Sequence, residues 1–184
     1  MTFFPQFEDL ADVPAPVFVL PTAGTLGHPE ACRRACLDFI AGQCKLDGSC
    51  PYCHLPHEGA PAKLHKKHRS RLQGLLQSEL CALVLPICRL KVDRAGLADA
   101  AVDLIKLLEE HAAASERRLE DILPMSDIAQ LRKALGKLKL SNLIGLVTRQ
   151  ESMKPDGQDA LFVALENFRM DLLKDLLTPV LISM

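Results

Sequence analysis

A chain of 184 residues has room for one domain of ordinary size and a small module. Its apolar fraction of 48% includes no Trp and one Tyr, which argues against a sandwich or barrel, built from more β-branched and aromatic residues, and for packed helices. The formal net charge of −1 selects no class of partner, but the charges are unevenly placed: 1–32 has acids and no Lys or Arg, 63–71 has five cations and no acid, 93–127 is acidic and 132–139 basic.

The first segment, 1–30, holds Pro5, Pro14, Pro16, Pro21 and Pro29 and cannot sustain a regular helix. Its Phe3, Phe4, Phe7 and Phe18 are too apolar for a solvated tail, so it reads as an irregular arm that docks on the rest of the chain or on a partner. It shows neither a positively charged start nor the long apolar core of a signal peptide. No stretch reaches the ~18 uninterrupted apolar residues of a membrane span. The expectation is an intracellular protein, of nucleus or cytoplasm, with no membrane role.

Segment 31–58 carries the chemistry. Five of the seven cysteines fall between Cys32 and Cys53, beside His28, His54 and His57. A secreted disulfide framework is normally even in number and follows an export signal, so clustered Cys and His here point to a metal in a reducing compartment. Cys36, Cys44, Cys50 and His54 follow the spacing C-x7-C-x5-C-x3-H. Three thiolates and one imidazole saturate a tetrahedral Zn²⁺ and leave no open position for water, so such a site is structural. A module this small cannot offset its chain entropy by burial, and zinc binding supplies about 10–16 kcal/mol of folding free energy to peptides of this kind. Two further pairs, His28 with Cys32 and Cys53 with His57, are each spaced x3. They can form a second Cys2His2 site, be spare thiols and imidazoles beside a formed one, or substitute for a neighbouring ligand. The sequence expectation is one structural zinc.

Residues 62–85 read as a basic helix. Leu64, His68, Leu72 and Leu75 recur at helical spacing, with Lys63, Lys67 and Arg71 on a neighbouring face and Lys66 and Arg69 beside them. Pro86 is expected to end it. Residues 87–92 alternate Cys88, Leu90 and Val92 with Arg89 and Lys91, the pattern of a short strand. Cys81 and Cys88, in apolar surroundings, read as core.

From 86 to 184 the chain reads as a helical domain. Helices are expected from Leu97 to about Ala114, from Ser115 to Leu123, from a Ser126 N-cap through Leu138, from Asn142 to Thr148, and from about Gln158 to Leu177, the last with Leu161, Leu165, Phe168, Leu172 and Leu176 at helical spacing. Lys154 to Gly157 reads as a turn. The expected fold is therefore mostly α: a small irregular zinc-stapled finger followed by a domain of four or five helices. The chain shows no phosphate loop, nucleophile elbow or recognisable carboxylate pair, and no enzymatic activity is expected.

The run from Cys36 to His54 resembles the CCCH zinc fingers of RNA-binding proteins over about 20 of the 184 residues. Beyond the four ligands, Phe39 and Tyr52 stand where that family has aromatics, and Gly42, Lys45 and Gly48 also match. Leu46 departs from it, standing where many relatives carry a second aromatic. The resemblance implies binding of single-stranded RNA, with Phe39 and Tyr52 stacking on bases and Arg33, Arg34 and Lys45 flanking them or contacting phosphate. The cluster Lys63, Lys66, Lys67, Arg69 and Arg71 would extend the footprint. A rival expectation is a zinc-stapled protein-interaction module whose helical domain binds a protein partner. The finger's weak basicity favours it, with Arg33, Arg34 and Lys45 set against Asp38 and Asp47.

Overall fold

A computed structural model describes residues 22–57, 62–148 and 160–181, with side chains to residue 174. The phenylalanines of the arm, the Lys154–Gly157 turn and the side chain of Leu176 lie outside the described residues. The fold is mostly α, as composition leads one to expect. Helices run in the order α1 (Leu37–Ile40), α2 (Lys66–Gln73), α3 (Gln77–Arg94), α4 (Val102–Ala113), α5 (Leu119–Ile122), α6 (Met125–Leu135), α7 (Leu140–Thr148) and α8 (Ala160–Leu181).

Helix α3 is the axis of the body and touches α4, α5, α6 and α7, while α8 closes against α4 and α7. Its start is capped by Glu79, whose Oε2 accepts the Leu76 N–H at 2.8 Å. That carboxylate is buried and reaches Arg117 on its other oxygen, at 2.5 Å. The end of α3 is a Schellman turn: Leu97 N–H donates to Val92 O at 2.8 Å and Gly96 N–H to Asp93 O at 3.1 Å, with Gly96 at φ 66°. The core is aliphatic, with Leu83, Leu104, Leu108, Ile128, Leu131 and Leu143 all almost fully enclosed. Cys81 and Cys88 lie in it, and burial pushes the Cys88 thiol up to about 12.

Several expectations about elements change: the helix expected from Leu97 begins at Val102, and the one expected from Ser115 begins at Leu119. The single basic helix over 62–85 is broken at Gly74: α2 ends there, and α3 passes through Pro86 to Arg94. The strand over 87–92 is the interior of α3. Ile87, Cys88 and Val92 are buried and Leu90 is 47% exposed, so burial follows the helical period and not the alternation. Ser126 lies inside the first turn of α6, which begins after Pro124; the proline itself sets the entry to the helix.

Segment 22–57 sits on this body. Ala31 O accepts from Arg169 Nε at 2.7 Å, and Cys32 O accepts from Ser141 Oγ at 3.2 Å. The Glu30 carboxylate binds Lys91 Nζ at 3.1 Å and Leu140 N–H at 3.0 Å. Within the segment an isolated parallel bridge pairs Ala35 with Cys53.

Candidate metal centre

Among the described residues two groups of side chains could hold a metal ion, and in each the four ligand atoms lie within 4.8 Å of one another. The first is Cys36, Cys44, Cys50 and His54. Cys36 stands at the N-cap of α1 and its sulfur accepts the Phe39 N–H at 3.4 Å. Burial pushes its thiol up, but the Phe39 N–H, the neighbouring thiols of Cys50 and Cys44 and the Asp38 N–H outweigh that, so its pKa is lowered. A helix-start thiol surrounded by donors is suited to act as a thiolate. Cys50 follows a 3₁₀ turn over Asp47–Ser49, and its sulfur is 3.8 Å from that of Cys36. Two thiolates at about 2.3 Å from a tetrahedral zinc stand about 3.8 Å apart. His54 is buried, and its Nε2 has no hydrogen-bond partner among the described residues.

The second group is His28, Cys32, Cys53 and His57. Its two cysteines are almost fully enclosed, and His28 Nδ1 lies 3.5 Å from Cys53 Sγ. The sequence leaves these four residues as surplus; the fold collects them as closely as the first set. Adjacent residues Cys53 and His54 belong to different groups, because successive side chains of an extended segment point to opposite sides. Lys139 borders the second group, its Nζ 3.6 Å from Cys32 Sγ and 2.5 Å from His57 Nδ1. Burial first and Lys139 second hold His28 and His57 below the ordinary imidazole value, favouring the neutral form that binds metal. Burial and the nearby Cys32 raise the Cys53 thiol to about 11.

The residues assigned to RNA are placed as follows. Phe39 lies flat on His54, with ring centroids 4.0 Å apart and planes at 13°, and keeps 37% of its surface exposed. Tyr52 carries the Arg34 guanidinium over its ring at 4.6 Å and accepts from Arg34 at its hydroxyl at 3.0 Å. Arg33 is ion-paired with Glu166 at 2.8 Å and Arg71 with Asp127 at 2.7 Å. Lys45, Lys63, Lys66, Lys67 and Arg69 are exposed. Lys63 precedes α2, so of the expected stripe only Lys67 and Arg71 share the helix.

Glu30, Lys139 and Arg169 join segment 22–57 to the body without having been singled out in the sequence. Lys139 is 82 residues from His57 and 107 from Cys32, and nothing in a basic run on a helical segment marks one lysine as turned toward a thiol. No protein-family model, curated protein or solved structure matches this chain.

Proposed function

We propose that this chain is a zinc-dependent protein that binds single-stranded RNA through a finger of the CCCH type. In this reading Cys36, Cys44, Cys50 and His54 hold a structural Zn²⁺, and the closed ligand set leaves it no part in chemistry. The observation that carries the proposal is Phe39. A ligand histidine backs one face of its ring while more than a third of the residue remains open, an arrangement that can present a rigid aromatic face to a base. The Arg34–Tyr52 stack is a second platform, which a base can extend or enter in place of the guanidinium. Exposed Lys45, Lys63, Lys66, Lys67 and Arg69 supply the phosphate contacts. Arg33 and Arg71 contribute only by leaving Glu166 and Asp127.

Titration of the zinc-loaded chain against homopolymer RNAs, by fluorescence anisotropy, tests this. Binding should be micromolar or weaker, as expected of a single finger reading a few nucleotides, and should weaken with salt. Phe39→Leu, which keeps an apolar cover on His54 but removes the ring, should cost about 1–3 kcal/mol of binding with zinc content unchanged. Absence of binding at low salt with zinc present overturns the proposal. A protein-interaction module would then take its place, a reading favoured by the exposure on the same finger of Leu37 (76%), Ile40 (71%) and Leu46 (53%).

A further inference from the structure

The second Cys/His group serves none of the roles proposed above, and its geometry is that of a binding site. Two buried thiols and two imidazoles converge, from the stretches 28–32 and 53–57, until all four ligand atoms are within 4.8 Å. The His28 Nδ1 to Cys53 Sγ distance of 3.5 Å is close to the N···S edge, about 3.5 Å, of a tetrahedral zinc site. His57 Nε2 is buried with no hydrogen-bond partner among the described residues. Thiols that merely fill a core need no imidazoles turned toward them, whereas a Cys2His2 set needs all four.

We infer that His28, Cys32, Cys53 and His57 hold a second Zn²⁺, and that this ion is the joint between finger and helical body. The ligand charges favour zinc: two thiolates balance the ion and the two imidazoles are neutral. When His57 Nε2 binds it the imidazole proton sits on Nδ1, so Lys139 gives up its 2.5 Å contact there and serves Cys32 as an outer-shell donor. The position makes it a joint. Residues 30–32 are held by α3, α7 and α8 through Lys91, Leu140, Ser141 and Arg169, while Cys53 and His57 come from the far end of the finger. An ion shared between those stretches ties the finger's exit to a segment already anchored on the helices. The first group has no such anchor; its Cys44 lies between exposed loops.

The test is the metal content of the full chain purified without added metal, with amide exchange as the second readout. Two zinc ions per chain are expected, one for each group, falling to one in Cys32→Ser, in His57→Asn and in Cys44→Ser. His57 is only partly buried, so His57→Asn keeps the test decisive where Cys32→Ser does not fold. One zinc in the wild type, unchanged by His57→Asn, overturns the second site and leaves the CCCH reading intact. One zinc that is lost in His57→Asn but retained in Cys44→Ser overturns the CCCH reading instead. The joint is read at the amides of Leu140 and Ser141, which donate to Glu30 Oε2 and Glu30 O at 3.0 and 3.1 Å. Their exchange should quicken at least several-fold in His57→Asn and not in Cys44→Ser; equal rates in both variants overturn the joint.

Discussion

Two glycines do different work, and the difference is measurable. Gly24 faces the peptide of Tyr52 so closely that a Cβ there would lie 2.1 Å from its carbonyl carbon. The obstacle is backbone, and the same stretch is bonded to Gly24 and Thr22 through Cys50 O and Tyr52 O. Gly24→Ala should therefore push the turn at 22–25 away from 50–53, which carries ligands of both groups. The expected result is a fall in melting temperature together with faster loss of bound metal to a chelator. Gly96 meets nothing within 4 Å and is needed only for its φ of 66°, so Gly96→Ala should cost about 1 kcal/mol in urea unfolding with zinc retention unchanged. Gly42 and Gly48 could be read as turns from sequence, because a turn is a local matter. Gly24 could not, since its reason is a residue 28 positions away that only the fold brings near.

Among the elements, α3 shows where periodicity is a sufficient guide and where it is not. Leu161, Leu165 and Phe168 of α8 were legible as one buried stripe, and all three are enclosed. Pro86 was misleading because a proline reads as a stop. It sits on the exposed side of α3, where water can satisfy the carbonyl that loses its N–H partner, while Leu83, Val84, Ile87 and Cys88 hold the helix by burial. Tertiary packing here outweighs a local penalty of about 3 kcal/mol. Pro86→Ala should release part of it and stabilise the protein by about 1–3 kcal/mol in urea unfolding; no gain would mean the helix bends at this point to suit its neighbours.

For the molecule as a whole, stability is shared between the Cys/His segment 22–57 and the helical body. The body has its own aliphatic core among α3 to α8, whereas Leu37, Ile40 and Leu46 of the Cys/His segment are exposed. Cys44→Ser should accordingly abolish metal binding at the first group while far-UV circular dichroism retains nearly all its helical signal. Loss of helicity throughout would show one cooperative unit. The first group was legible because its four ligands lie within 19 positions at regular spacings. The second resisted reading because His28, Cys32 and His57 stand outside that run while Cys53 lies within it, and their proximity depends on the Ala35–Cys53 bridge. That bridge also decides where the chain can change length. The stretch from Lys45 to Ser49 is exposed and holds no residue of either group, so an insertion there would enlarge a surface loop. A residue inserted between Cys53 and His54 would turn both side chains to the same side of the segment and take a ligand from one of the two groups.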